Sequence, residues 1–242
     1  MSLTVGSLFS GIGGLDLGLE RSGFDVRWQS EIEPYACRVL TKHWPDVPNL
    51  GDITSIDWSA VEHVDVICGG YPCQPFSFSG VRRGEDDPRH LWPHMLDAIR
   101  LLRPRHVIAE NVPGHLSLGF DRVLADLASL GFDVEWSIVS ACSLGAPHPR
   151  ERLFWVADAQ GCDESNQVSH HQRPTFSHES RGGRSGTRRD GWLPEPDVGR
   201  VAHGVPIRLV NGPLAALGNA VVPQVAELIG RQLLAHIQAM AA

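Results

Sequence analysis

Short apolar runs and helix-length segments take turns along residues 3 to 157, and few architectures accommodate that order. Thr4 to Phe9 reads as a first strand and Gly13 to Ser22 as a helix. Phe24 to Ser30 is a second strand, and a helix follows from about Pro34 to His43, with Pro34 suited to a first turn. A third strand is expected to end near Asp52. Val64 to Cys68, Arg105 to Ala109, Phe132 to Val139 and Arg152 to Ala157 read as further strands, with helices over His90 to Leu102 and Phe120 to Leu130. The alternation predicts an α/β fold: a mostly parallel, doubly wound sheet covered on both faces. Such sheets place their ligands at the carboxyl ends of the strands, so the loops there are the ones to read for chemistry.

From Asp158 to about Arg200 the alternation dissolves into Ser, Gly, Arg, His and Pro without apolar periodicity, which reads as a weakly ordered or disordered insertion. Order is expected to return at Val201, and Pro223 opens a helix in which Val225, Leu228, Ile229 and Leu233 share a face. At 242 residues the chain suits one sizeable domain. Its five cysteines, Cys37, Cys68, Cys73, Cys142 and Cys162, are scattered and form no CxxC pair, so neither a disulfide framework nor a metal site is expected. With no secretory signal and no apolar run near the roughly 20 residues that span a bilayer, a cytoplasmic protein is expected. The net charge of −7 argues against gripping nucleic acid by bulk electrostatics. It leaves room for local basic patches: Arg82 with Arg83, and Arg181, Arg184, Arg188 and Arg189 within nine residues.

Five constellations fall at strand ends. Phe9-Ser10-Gly11-Ile12-Gly13-Gly14 follows the first strand, where glycines allow a tight turn and the helix start offers N–H groups. Glu31, after the second strand, is placed to accept from ribose hydroxyls. Because position 16 is Asp16, the dinucleotide fingerprint fails at its last glycine, which favours another adenosine-containing cofactor. Asp52 stands within reach of an adenine amino group, although capping a turn is an equally common task for aspartate. Gly69-Gly70 ends the strand before Pro72-Cys73-Gln74. Cys73 is there either a small buried hydrophobe or a nucleophile, since a thiolate reacts where a serine hydroxyl needs a base. Glu110-Asn111-Val112 ends a neighbouring strand. Arg150 and Arg152 enter the last strand of this region at i and i+2, pointing the same way, either as a solvated edge or as a clamp for an anion or carbonyl beside the cysteine. Gly218-Asn219, far downstream, looks like a turn capping the final helix.

Taken in order, Phe-x-Gly-x-Gly-Gly, an acid after the second strand, Pro-Cys-Gln-Pro-Phe-Ser, Glu-Asn-Val, Arg-x-Arg and a late Gly-Asn resemble the DNA (cytosine-5)-methyltransferases of bacterial or phage type. The resemblance covers residues 4 to 157 and about 205 to 235. It implies methyl transfer from S-adenosylmethionine to carbon 5 of a cytosine flipped out of duplex DNA, with S-adenosylhomocysteine as product. It implies a Rossmann-like methyltransferase sheet. Residues 1–157 would form the catalytic and cofactor-binding domain, 158–204 a short target-recognition segment, and 205–242 a return to the catalytic domain. Carried onto this chain, Cys73 attacks carbon 6, Glu110 holds ring nitrogen 3 and the exocyclic amine, and Arg152 with Arg150 contacts the base or supports its loop. Phe9, Gly11, Gly13, Leu15, Gly70 and Pro72 line the cofactor, with Glu31 on ribose, Ile32 against adenine, Asp52 and Ile53 at the adenine edge, and Asn219 closing the pocket. Gln74, Ser77, Arg82, Arg83 and the four later arginines are the expected DNA contacts. The protein would act as a monomer, with a cognate restriction endonuclease as its partner in a restriction–modification setting.

The chain departs from the pattern at His148, where the family often has Gln, and at Ala220, where Ser is frequent. It also departs in its short recognition segment. Two other readings compete: an idle cofactor- or DNA-binding module, and a tRNA methyltransferase on the same fold. The intact Cys73, Glu110 and Arg152 set opposes the first. Pro72-Cys73-Gln74 and the lack of a Cys-Phe-Thr tripeptide oppose the second.

Overall fold

The computed structural model describes residues 2–72, 91–159 and 215–240. Six strands form one sheet: β1 (Thr4–Leu8), β2 (Asp25–Ser30), β3 (Val66–Gly69), β4 (His106–Asn111), β5 (Phe132–Ser140) and β6 (Glu151–Ala159). Their spatial order is β2-β1-β3-β4-β6-β5. The first four run parallel, and β6 is antiparallel to both β4 and β5. The sheet is therefore parallel through its first four strands and mixed at one edge. The helices are α1 (Gly14–Ser22), α2 (Pro34–His43), α3 (Trp92–Leu102), α4 (Phe120–Ser129), a short α5 (Ala215–Asn219) and α6 (Pro223–Met240). No third strand ends at Asp52; that stretch pairs only through a single bridge, Gln29 to Asn49. Val201 lies outside the described residues, as do the expected nucleophile Cys73 and the expected DNA contacts Gln74, Ser77, Arg82, Arg83, Arg181, Arg184, Arg188 and Arg189.

Alternation along the strands builds a core on each face. Ile67, Val107, Ala109, Leu153 and Trp155 pack on one side with Trp92, Met95 and Ile99 of α3 and Val123 and Leu127 of α4. Val66, Cys68, Ile108, Phe154 and Val156 face the other side, with Leu15 and Leu19 of α1 and Val225, Ile229 and Leu233 of α6. Burying each of these larger side chains contributes roughly 1.5–3 kcal/mol. Leu228 is only half-buried, and Ala226 and Gly230 take the positions against α1 instead. A Cβ on Gly18 would stand 2.4 Å from that of Ala226, and one on Gly230 would stand 2.7 Å from Ser22 Oγ. Small residues at i and i+4 on both helices thus let them approach closely.

The chain lays down β2 on one side of β1 and β3 on the other, so the strand order reverses at β1. Crevices at the carboxyl ends open at such a switch point. Because β6 runs antiparallel, its first residues, and not its last, lie at that same edge. No helix among the described residues is long and apolar enough to cross a membrane.

Candidate active site

Beyond β1 the backbone turns through three left-handed residues, Phe9 (φ 52°), Gly11 (φ 56°) and Gly13 (φ 81°), before α1 begins. A Cβ on Gly11 would meet nothing closer than Phe9 O at 4.0 Å, so the outside of the turn is open. Glu31 holds it from beneath. One carboxylate oxygen accepts the Gly11 amide at 2.7 Å, and the other accepts the amides of Ile32 at 2.8 Å and Glu33 at 2.7 Å. Ile32 next to it is 64% exposed, an apolar side chain standing open just past the carboxyl end of β2.

Asp52 is exposed and caps a 3-10 turn, one oxygen accepting both the Thr54 amide (2.9 Å) and its hydroxyl (2.8 Å). The Thr54 amide and hydroxyl hold its carboxyl below the usual range. Two expected cofactor residues face elsewhere. Leu15 is buried among the α1–α6 contacts and Ile53 among Trp28 and Trp58, because each falls on the apolar side of its own turn. Their side chains serve the core.

Glu110 is the last but one residue of β4, inside the strand and not beyond it, and is buried. It pairs in register with Phe154 of β6, which puts Arg152 diagonally across on the same face. The Arg152 Nε stands 2.8 Å from Glu110 Oε1. Desolvation nevertheless dominates, and pushes the Glu110 carboxyl up to about 7 against the opposing charges of Arg152 and Arg150. The other carboxylate oxygen packs on Gly70, where a Cβ would come within 3.0 Å. Gly70 therefore stands directly against the carboxyl, three residues before Cys73 in the sequence.

Arg150 does not share a strand with Arg152. It precedes β6 with φ 30°, and its guanidinium donates to the carbonyls of Gly218 (2.8 Å) and Ala220 (2.5 Å). It clamps the late motif as well as adding charge near Glu110, and burial lowers its own pKa. The same motif reaches the glycine turn, since a Cβ on Gly14 would stand 2.4 Å from Val221 O. Asn219 is exposed at the end of α5, not in a free turn. A cleft of about 690 Å³ opens between these segments, lined among others by Gly13, His148, Arg150, Arg152, Val221 and Pro223.

Sequence reasoning missed Asp16. It is fully buried beneath the glycine turn, accepting from Gln29 Nε2 (2.7 Å) and from Ser7 Oγ (3.0 Å), whose own oxygen accepts from Ser10. Burial pushes its carboxyl up to about 6. The signal was an acid between Leu15 and Leu17 on the apolar first turns of the helix, but its partners come from two other elements. It also missed Tyr71 and His115, buried together at 2.7 Å.

Residues 3–191 match the family model for C-5 cytosine-specific DNA methylases. The type II methyltransferase M.NgoMIV of Neisseria gonorrhoeae is 34% identical over 162 residues, 65% of this chain and 52% of that protein. M.AquIA of Picosynechococcus is 32% identical over 179 residues, 64% of this chain and 71% of that protein. A structure described as a prophage-encoded DNA modification methyltransferase from E. coli aligns with a TM-score of 0.56 at 31% identity, covering 65% of this chain and 47% of the other. The fold is also that of Spodoptera frugiperda DNMT2, with a TM-score of 0.57 at 22% identity over 70% of this chain and 54% of the other. The chain spans about half the length of several relatives it matches. The strand-end carboxylates and the sequence match meet in one assignment: the chain belongs to the C-5 cytosine-specific DNA methylase family.

Proposed function

We propose that this protein transfers a methyl group from S-adenosylmethionine to carbon 5 of cytosine in a specific duplex DNA sequence. The observation that carries this reading is Glu110: a buried carboxyl, raised to about 7, tied to Arg152 and packed on Gly70 three residues before Cys73. A carboxyl that keeps its proton near neutrality can donate to cytosine nitrogen 3, which an ordinary glutamate cannot.

The carboxyl-edge crevice fits the cofactor. The turn at Gly11 is open, and the exposed Ile32 offers an apolar surface to a purine face. Glu31 and Asp52 would take the ribose hydroxyls and the adenine amino group, Phe9, Gly13, Gly70 and Pro72 would line the pocket, and Asn219 would close it. When bound, the cofactor supplies the methyl electrophile and leaves as S-adenosylhomocysteine. The Cys73 thiolate adds to carbon 6 while Glu110 protonates nitrogen 3, which raises the electron density at carbon 5. Arg152 orients Glu110, and Arg150 holds the late motif against the cleft. After methylation, loss of the carbon 5 proton expels Cys73. The target must leave the base stack to reach these groups.

Residues 1–157 with 205–242 form the catalytic unit in this reading, and 158–204 the target-recognition segment. In this reading the enzyme is a cytoplasmic monomer, and the type II naming of the relatives supports a cognate restriction endonuclease as its partner.

Bisulfite sequencing of DNA from cells expressing the chain should reveal 5-methylcytosine in one sequence context. Duplex DNA with 5-fluorocytosine at that target should trap the protein covalently with cofactor present, and Cys73→Ser should bind cofactor but form no adduct. Methyl transfer confined to RNA, or none from a cofactor-loaded protein, overturns the reading.

A further inference from the structure

Tyr71 and His115 form a buried polar pair in an aromatic cluster, and the chemistry proposed above makes no use of either. Tyr71 is 2% exposed and follows Gly70 at the exit from β3; His115 is 0% exposed, in the 3-10 turn after β4. The His115 Nδ1 lies 2.9 Å from Leu118 O. A carbonyl only accepts, so Nδ1 carries hydrogen, and in the neutral ring Nε2 accepts from the Tyr71 hydroxyl at 2.7 Å. Burial pushes the Tyr71 phenol well up, which keeps that hydroxyl protonated as donor. A second bond runs in parallel: Asn111 Nδ2 donates to Tyr71 O at 3.3 Å, while Asn111 Oδ1 accepts the Val112 amide.

Both bonds join the same two pieces of chain. One piece leads from β3 into the segment that carries Cys73; the other carries Glu110, Asn111 and the turn after them. The rings lock the arrangement: Tyr71 lies 5.2 Å from Trp92 and 5.5 Å from His115, and His115 lies 5.7 Å from Phe120. An apolar pair could fill this space, but it would set no direction. A hydrogen bond constrains where the Tyr71 backbone sits relative to β4.

We propose that His115 is a positioning residue, acting through the Tyr71 hydroxyl to set Gly70–Pro72 against Glu110 and so to fix the approach of nucleophile and acid. The inference rests on the methyltransferase reading for its catalytic consequence, but its structural part can be measured alone.

The test uses the full chain and three variants: Tyr71→Phe, the double Tyr71→Phe/His115→Leu, and His115→Gln, which keeps an acceptor for Tyr71 and a donor for Leu118. Removing the Tyr71 hydroxyl and the His115 ring together leaves neither member of the pair without the other, and the Leu118 carbonyl that loses its donor belongs to a residue 37% exposed, so the double variant should stay folded. Its covalent trapping on 5-fluorocytosine DNA, measured at saturating cofactor, should slow by about 10- to 100-fold, the effect of a misplacement near 1 Å. His115→Gln should recover most of the rate. Hydrogen exchange should quicken in residues 69–72 of Tyr71→Phe and not in β2 or β5. If the double variant fails to fold, Tyr71→Phe, which lacks one oxygen atom, carries the same rate measurement. A wild-type trapping rate in the folded variants, or exchange unchanged at residues 69–72, overturns the proposal. A wild type that shows the exchange difference but traps no DNA overturns the methyltransferase reading and leaves the tie standing.

Discussion

Arg152 Nε stands 2.8 Å from Glu110 Oε1, yet the Glu110 carboxyl is pushed up to about 7. Burial outweighs the ion pair, so near neutrality a substantial fraction of Glu110 keeps the proton that the proposed mechanism gives to nitrogen 3 of cytosine. kcat/KM on target DNA, which reports the free enzyme, should fall as pH rises through about 7. Glu110→Gln should be slower by about 10²–10⁴-fold and lack that basic limb. A limb that persists in Glu110→Gln assigns the titration to another group.

Glu31 supports the Gly11 amide and, in the proposed reading, takes the ribose hydroxyls of the cofactor. Glu31→Ala should weaken S-adenosylmethionine binding by about 1–3 kcal/mol, read by calorimetry without DNA. Asp52→Ala should weaken it as well. Unchanged affinity in both variants would remove this orientation of the adenosine half.

Gly14 and Gly218 belong to two sequence motifs but should respond oppositely to alanine. The new Cβ at Gly14 meets the Val221 carbonyl at 2.4 Å, whereas at Gly218 nothing lies within 4 Å. Gly14→Ala should lose about 1–3 kcal/mol in chemical denaturation, the range for overpacking, despite a better helix propensity. Gly218→Ala should stay near wild type. Equal stabilities would contradict the close contact between the glycine turn and the late motif.

Asp16 makes stability depend on pH. Its folded pKa, about 6, lies above the unfolded 3.8. Its stabilising contribution is therefore complete below about 3.8 and is lost as pH rises through about 6. The full swing is roughly 3 kcal/mol, about half of it between pH 5 and 8. Subtracting the denaturation curves of Asp16→Asn from those of wild type should isolate it. A pH-independent difference would mean that Asp16 is ionised throughout.

Arg181, Arg184, Arg188 and Arg189 should contribute to DNA affinity on a chain of net charge −7. Each lost phosphate contact lowers the log–log salt slope by roughly 0.9 on duplex DNA. A quadruple Arg→Gln variant should bind every sequence more weakly, with a shallower slope. Unaltered affinity, slope and target preference would move recognition elsewhere, with Arg82 and Arg83 the next place to look.

Periodicity and turn chemistry are local, and for that reason the sequence by itself determined most of the elements. The helix Pro34–His43 has its expected ends because Pro34 suits a first turn and Glu33 caps it. The glycine turn and the acid after β2 were legible from residue type and spacing, as was the order of motifs that carries the family resemblance. Whatever depended on a partner far along the chain was decided only by tertiary structure. The antiparallel course of β6 brings Arg150 and Arg152 to the carboxyl edge; a parallel strand would have carried them to the opposite one. Burial separates Leu15 and Ile53, which face the core, from Ile32, which stands exposed past the end of β2. The raised carboxyls of Asp16 and Glu110 arise from desolvation, a property of the surrounding fold that residue spacing does not encode.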